Sequence, residues 1–251
     1  MRALVRAIPD AFARATVKVL PAEPIDVPRA RVQHAAYVAA LRSIGVEVRE
    51  LPPLHVMADS PFVEDTAVVA GGLALIDRMG NGSRRGEEAS VRQALGEWLP
   101  VAAMEAPATL EGGDCMRLGR VIYAGLSERS NAAGIARLRE VMAPRGLEVV
   151  TVELGDVLHL KCVCSPLDET TMLLAEGTLD PAIFGGARIL AVPAREGYAS
   201  NALAIGRTVL LPAGFPETRR LVAGAGFDVV PLDTTEIRKA DGALTCLSIL
   251  F

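Results

Sequence analysis

The sequence predicts an α/β protein built as one closed ring of five strand–helix units. Three observations predict it. Short apolar runs rich in Val, Ile and Leu alternate with stretches of helical periodicity. A pattern of Gly turn, buried strand, polar loop and helix recurs along the chain. No Ser/Gly/Pro-rich tract divides the 251 residues, so a single domain over 1–251 is expected.

The strands come first. "GLALID" (72–77), "RVIYAG" (120–125), "MLLAEG" (172–177), "RILAVP" (188–193) and "TVLLPAG" (208–214) are short apolar runs ended by Gly, Pro or polar residues. Helices follow several of them. "SRRGEEASVRQALGEWL" (83–99) and "SNAAGIARLREVMAPRG" (130–146) carry apolar residues at three-to-four spacing. The second opens on the capping residues Ser130 and Asn131 and closes at Pro144 and Gly146.

The repeat is visible by aligning 71–95, 118–142 and 205–226. Each has a Gly turn, a strand, a loop ending in Arg84, Arg129 or Arg219, then a helix. Polar groups recur ahead of the units at Glu64-Asp65, Glu111, His159, Asn201 and Asp241, with spacings of 47, 48, 42 and 40 residues. That period is shared by all-strand propellers, but here each unit carries a helix. Five such units around an axis bring one polar edge of each to a common centre.

Composition excludes several classes. Twenty-six basic and 30 acidic residues give a charge of −4, which suits nucleic acid poorly. No apolar run reaches membrane-spanning length, and the N-terminal stretch lacks the continuous apolar core of a secretory signal. Cys115, Cys162, Cys164 and Cys246 lack zinc-site spacing and are expected to be reduced thiols in a cytoplasm.

Taken one at a time, the polar residues have ordinary explanations. Cys246 lies in an apolar, strand-like segment, where a lone cysteine is usually a small buried hydrophobe. His34 sits in a helical stretch and packs or caps; His55 lies in an exposed loop. His159, in the apolar "DVLHLKCVCS", needs a partner to be buried. Glu64 and Asp65 are adjacent in a strand-like run, so at least one points inward or both mark a solvated strand end. Glu111 precedes a Gly pair that allows a sharp turn or a close ligand approach. The repeat changes the balance, because it places these residues at comparable positions. A cysteine, a histidine and a carboxylate then supply a nucleophile, an acid/base and an orienter. The extra carboxylates call for a cationic substrate, and Arg84 and Arg129 call for a carboxylate on it. Arginine-like compounds have both.

The sequence also resembles the dimethylarginine dimethylaminohydrolase family, guanidino-group modifying enzymes of the pentein fold. The resemblance rests on "QHAAYV" (33–38), "ELPP" (50–53), "DSPFVEDTAVV" (59–69), "SRRGE" (83–87), "LEGGD" (110–114) and "GLSERSNAAG" (125–134). It continues through "LHLK" (158–161), "YASNALAI" (198–205), "LLPAGFPETR" (210–219) and "DGALTCLSILF" (241–251), in the family's order over nearly the whole chain. It implies a pentein α/β-propeller of five ββαβ-like units around a pseudo-fivefold axis. It implies Cys246 as nucleophile, His159 as acid/base and Glu111 as its orienter. Asp59, Glu64 and Asp65 carry over as substrate-binding positions near the guanidine and amino groups. Arg84 and Arg129 carry over for the α-carboxylate, with the backbone near Ala240 as a further position. The implied substrate is a small molecule, an Nω-methylated arginine, hydrolysed to citrulline without metal or organic cofactor. The alternatives are arginine deiminase or another guanidine- or amidine-modifying hydrolase of the superfamily, although deiminases carry an added helical module. Exposed edges of such a ring leave room for a homodimer. Two departures stand out. The first-unit lid, "ARATVKVLPAEPIDVP", does not align with the family's lid motif, and Asp77 stands where members commonly have Thr.

Overall fold

The computed structural model describes residues 1–251. It holds five three-stranded sheets, each with one antiparallel and one parallel pairing. The first sheet uses β1 (Arg2–Arg6), α1 (Val27–Ser43) and β2 (Glu47–Leu51). The second runs β3 (Ala67–Ala70), β4 (Leu73–Ile76), α2 (Glu88–Gly96) and β5 (Val101–Ala103). The third runs β6 (Cys115–Leu118), β7 (Val121–Leu126), α3 (Ala132–Met142) and β8 (Glu148–Glu153). The fourth has β9 (Cys164–Pro166), β10 (Thr171–Ala175) and β11 (Arg188–Val192), and the fifth β12 (Leu203–Ile205), β13 (Thr208–Pro212), α4 (Pro216–Gly224) and β14 (Asp228–Leu232). A short α5 (Thr235–Lys239) precedes β15 (Ile249–Leu250).

The two ends of the chain complete one sheet. β15 pairs antiparallel with β1, with Ala3 opposite Leu250 and Leu4 opposite Ile249. The first unit therefore takes its inner strand from the C-terminus, and this pairing closes the ring. The pentein α/β-propeller that the repeat and the resemblance predicted is the observed fold.

Local chemistry explains the elements. Gly71 and Gly72 sit at φ +57° and +72°, the two left-handed residues a tight β3–β4 hairpin requires. The Asp26 carboxylate accepts Arg29 N–H at 3.0 Å to cap α1, and Asn131 accepts Gly134 N–H at 2.8 Å to cap α3. α4 borrows its cap: Glu196, from the preceding segment, accepts Glu217 N–H and Thr218 N–H at 3.1 and 2.7 Å. The helix expected over 83–99 is shorter. Gly86 at φ +107° separates a 3-10 turn at Gly82–Arg84 from α2. The fourth unit has no α-helix in its crossover, only a 3-10 turn at Pro181–Phe184.

No unit encloses its own core. Leu4, Leu51 and Ile249 pack against Val63, Ala74 and Val91 between the first and second units. Leu75 meets Ile122, Ile135 and Leu138 between the second and third. Tyr123 and Met116 meet Met172 and Phe184 between the third and fourth, and Leu190 meets Val209 and Val222 between the fourth and fifth. Phe12, Tyr37 and Leu41 join Leu210 and Ile237 to close the circle. Each apolar wedge is shared by neighbours, so burial that stabilises one unit also fixes the angle to the next.

Candidate active site

A 3-10 turn leads into the inner strand of every unit: Val63–Thr66, Gly112–Asp114, Leu160–Cys162, Ala194–Ser200 and Thr245–Leu247. These turns meet at the ring's centre. Two segments expected to be strand-like are therefore turns. Glu64 and Asp65 lie in a 3-10 turn, where successive side chains point about 120° apart rather than to opposite faces. Both are buried, but they serve different places. Cys246 likewise lies in a 3-10 turn and is half-buried, not within a strand.

Glu64 faces the axis. Its carboxylate accepts Lys161 Nζ–H at 2.6 Å and Thr245 Oγ1–H at 2.8 Å. Lys161 also donates to Gly112 O at 3.1 Å. Asn201 Nδ2 donates to Lys161 O at 2.9 Å and Thr245 Oγ1 at 3.0 Å, and its Oδ1 accepts Thr245 N–H at 3.0 Å. One polar hub thus ties together all the turns around the axis. Burial pulls the Lys161 ammonium down, but the Glu64 carboxylate more than offsets it. Both Glu64 oxygens are engaged in the hub, and Glu64 is not among the residues that line the pocket holding Cys246.

On one side of the hub lies a small pocket that opens to solvent. Cys246, His159, Glu111, Asp59, Asp65, Arg84, Arg129 and Ala240 all line it. His159 Nε2 meets Glu111 Oε2 at 2.9 Å, and its Nδ1 lies 3.9 Å from Asp65 Oδ1. Glu111 is held in turn by Asn81 N–H on Oε1 at 3.1 Å. Burial alone would lower the imidazole pKa, but Asp65 and the Glu111 hydrogen bond overcome it and raise it to about 9. The raised pKa favours the imidazolium at neutral pH, with Nε2 on Glu111 and Nδ1 on the Asp65 side. Burial pushes the Cys246 thiol well above its ordinary pKa, and the Glu64 and Asp65 carboxylates add to the rise. The resting site pairs a neutral thiol with a charged imidazole.

The Gly112-Gly113 pair makes this packing feasible. A Cβ on Gly113 would lie 2.7 Å from Asp65 Oδ1 and 2.8 Å from His159 Nδ1; one on Gly112 would lie 2.0 Å from Glu64 O. Gly113 N–H also donates to Asp65 Oδ1 at 3.0 Å. Ligand atoms of Asp65, Glu111 and His159 lie within 4.8 Å of one another. Arg84 pairs with Asp65 and His159 Nε2 is engaged by Glu111, which makes the cluster a poor metal site.

The two arginines differ. Arg129 is half-buried at the pocket wall and its guanidinium has no carboxylate partner. Arg84 is buried and nearly saturated. Nη1 donates to Asp65 at 2.6 Å, Nη2 to Phe62 O and Glu87 at 3.0 and 2.8 Å, and Nε to Glu87 at 3.1 Å. One Nη1 hydrogen is left for anything in the pocket. Asp59 is also occupied: its oxygens accept Thr16 N–H and Thr16 Oγ1–H at 2.9 and 2.8 Å, drawing the first-unit loop over the mouth. Lys18 N–H donates to Asp241 Oδ2 at 2.6 Å beside it. Arg219, third of the repeated arginines, is exposed on α4 and away from the pocket, because its polar loop is already inside the helix.

Several residues here escaped sequence reasoning. Asp114 accepts Leu160 N–H at 3.1 Å and two serine hydroxyls, fixing the segment that carries His159. Thr16, Asn81 and Glu87 act through backbone or side-chain contacts that no spacing announces; Asp241 stood in the repeat series, but its contact with the first-unit loop did not show there. Asp114, Asp241 and Glu87 did lie inside quoted motifs, and that was the available signal. Cys115 and Cys164 are buried, and Cys162 is half-buried.

A ring of five ββαβ-like units with a thiol, an imidazole and carboxylates converging on its axis is the architecture of the guanidino-group modifying enzymes. The chain belongs to the dimethylarginine dimethylaminohydrolase family. The family model described as "N,N dimethylarginine dimethylhydrolase, eukaryotic" matches residues 9–182. The chain is 37% identical over 228 residues to the N(G),N(G)-dimethylarginine dimethylaminohydrolase of Pseudomonas aeruginosa, covering 90% of each. It is 38% identical over 250 residues to that of Streptomyces coelicolor, covering 99% of this chain and 96% of the relative. A solved structure of the Pseudomonas aeruginosa enzyme, a cysteine-to-serine variant with citrulline bound, superposes with a TM-score of 0.95 at 34% identity. It covers 100% of this chain and 98% of that one.

Proposed function

We propose that this chain hydrolyses Nω-methylated L-arginines to L-citrulline and methylamine or dimethylamine, with Cys246 as nucleophile. One observation carries the assignment: Cys246, the His159–Glu111 pair and Asp65 line a single pocket whose wall also carries the unpaired Arg129. The citrulline bound in the related Pseudomonas structure supports the product.

The chemistry follows from the charges. The substrate guanidinium enters against Asp65, with its α-carboxylate toward Arg129 and the remaining Nη1 hydrogen of Arg84. Its positive charge offsets the two carboxylates that hold the thiol proton on, so Cys246 loses that proton to solvent as substrate binds. The sulfur attacks the central guanidine carbon. His159 gives its Nδ1 proton to the methylated nitrogen as the C–N bond breaks, and the amine leaves. A thiouronium remains on Cys246. Neutral His159 then takes a proton from water, the resulting hydroxide adds to the same carbon, and the C–S bond breaks as the new hydroxyl passes its proton to the departing sulfur, releasing citrulline. Glu111 keeps Nδ1 as the reacting nitrogen throughout by holding Nε2.

Four free cysteines support a reducing, cytoplasmic setting. The outer edge strands of the five sheets support pairing with a second copy as a homodimer.

The test is citrulline release from asymmetric dimethylarginine, monomethylarginine and arginine, offered separately. Methylated substrates should turn over, and Cys246→Ser should abolish it with the fold intact. Turnover of arginine in preference would replace this assignment with a deiminase.

A further inference from the structure

Glu87 closes the "SRRGE" segment but has no part in the chemistry above. It is 1% exposed, and both of its oxygens are spent on one neighbour. Arg84 Nε donates to Oε1 and Oε2 at 3.3 and 3.1 Å, and Nη2 donates to Oε2 at 2.8 Å. The opposite edge of the same guanidinium reaches Asp65 through Nη1 at 2.6 Å. Behind Glu87 lies Arg6, itself fully buried, whose Nη2 donates to the Glu87 carbonyl at 3.3 Å and to Ser90 Oγ at 2.9 Å. Glu87, Arg84 and Asp65 form a buried row of alternating charge that runs to the pocket, and Arg6 holds the Glu87 backbone behind it.

We propose that Glu87 is a positioning residue for the reaction: it grips the Nε–Nη2 edge of Arg84 and so turns the Nη1 edge toward Asp65 and the substrate. This role rests on the function proposed above and deepens it. A guanidinium is a rigid plane, so fixing one edge fixes the other. With Glu87 in place, Arg84 can hold Asp65 ionised and offer its last Nη1 hydrogen in one direction only. Without it, Nε loses its acceptor and Nη2 keeps only the Phe62 and Asp59 carbonyls, so the plane is held less firmly and can turn further onto Asp65, which would then be screened from the incoming guanidinium. The geometry thus links the two ends of substrate recognition through a residue that touches neither end.

The same contact gives the site a pH response. The groups facing Glu87 are Arg84 from its own turn, Arg6 from β1, and Asp59 and Asp65 from the segment ahead of β3. Burial raises the Glu87 carboxyl to about 7, since Arg84 offsets only part of that cost and Asp59 and Asp65 add to it. A proton on Glu87 replaces an acceptor with a donor facing Arg84 and loosens the grip as the pH falls through about 7.

The experiment compares Glu87→Gln and Glu87→Asp with the unaltered chain, measuring kcat and KM for asymmetric dimethylarginine from pH 5.5 to 9 along with the thermal transition. Glu87→Gln should raise KM about tenfold with kcat within about threefold, the loss of one charged grip. Its kcat/KM should lack the fall near pH 7 that the unaltered chain shows. Glu87→Asp should restore that limb and part of the KM. A drop in thermal stability with unchanged KM and pH profile would make Glu87 merely structural and overturn the proposal. If the unaltered chain releases no citrulline, the functional assignment fails and takes this role with it. If the unaltered chain is active and the variants match it, this role alone fails.

Discussion

Glu111→Gln isolates the hydrogen-bonded carboxylate that, together with Asp65, holds the proton on His159. The substitution keeps size and one acceptor but removes the anion that meets Nε2 at 2.9 Å inside a site where Glu111 is 1% exposed. A hydrogen bond to a charged group contributes roughly 1.5–3 kcal/mol, and 1.36 kcal/mol moves a pKa by one. His159 should therefore fall from about 9 to roughly 7–8 in the variant. At pH 8 the general acid is then mostly or half deprotonated, and the ring loses its fixed tautomer as well. Together these lower kcat by roughly a hundredfold. The chain has only three histidines, so imidazole NMR resolves the titration directly. Burial holds His34 down at about 4, so the two buried imidazoles, His34 and His159, titrate far apart.

The same group sets a stability signature. His159 binds its proton more tightly folded, about 9, than unfolded, 6.5. Its contribution is fully present below pH 6.5 and is lost as pH rises through about 9, at most about 3 kcal/mol. Denaturant titrations at pH 6 and 10 should show a smaller difference in Glu111→Gln than in the unaltered chain. An unchanged His159 titration together with unchanged kcat would refute the argument that Glu111 holds and charges the imidazole.

Gly113→Ala places a methyl 2.7–2.8 Å from Asp65 and His159 and should cut kcat by roughly a hundredfold, with circular dichroism unchanged. Lys161→Met leaves Glu64 buried without its cation and should lower stability by about 3–5 kcal/mol in urea unfolding, while adding Glu64→Gln should recover much of the loss. Arg129→Ala should raise KM by about tenfold or more and leave kcat nearly unchanged; an unaltered KM would remove Arg129 from the site.

The sequence made three of the five units visible because those three share a Gly hairpin, a strand and an α-helix. The other two were hidden for separate physical reasons. The fourth crosses over through a 3-10 turn with no amphipathic helix to mark it. The first is split, with its inner strand 243 residues or more from β1 in the chain, and pairing between chain ends leaves no local periodic signal. Site positions were legible wherever spacing carried them. What each side chain does there was less so. The strand reading of Glu64 and Asp65 put at least one carboxylate inward, and a 3-10 turn supplied two, aimed at different partners.

That difference explains how one short turn serves both stability and chemistry. Strand geometry offers two directions, in or out, and would have spent one of the two carboxylates on solvent. A 3-10 turn offers three, so Glu64 can lock the axis while its neighbour Asp65 faces the pocket from the same turn. The turn ahead of β15 repeats the division: Thr245 donates to Glu64 in the hub, and Cys246, the next residue, lines the pocket. The turn ahead of β9 does so again, with Lys161 in the hub and His159 on the pocket wall. Each reactive group is thus one or two residues from an anchor buried at the axis. A change in the hub should then appear in catalysis as well as stability, and Lys161→Met should lower kcat even where the protein remains folded.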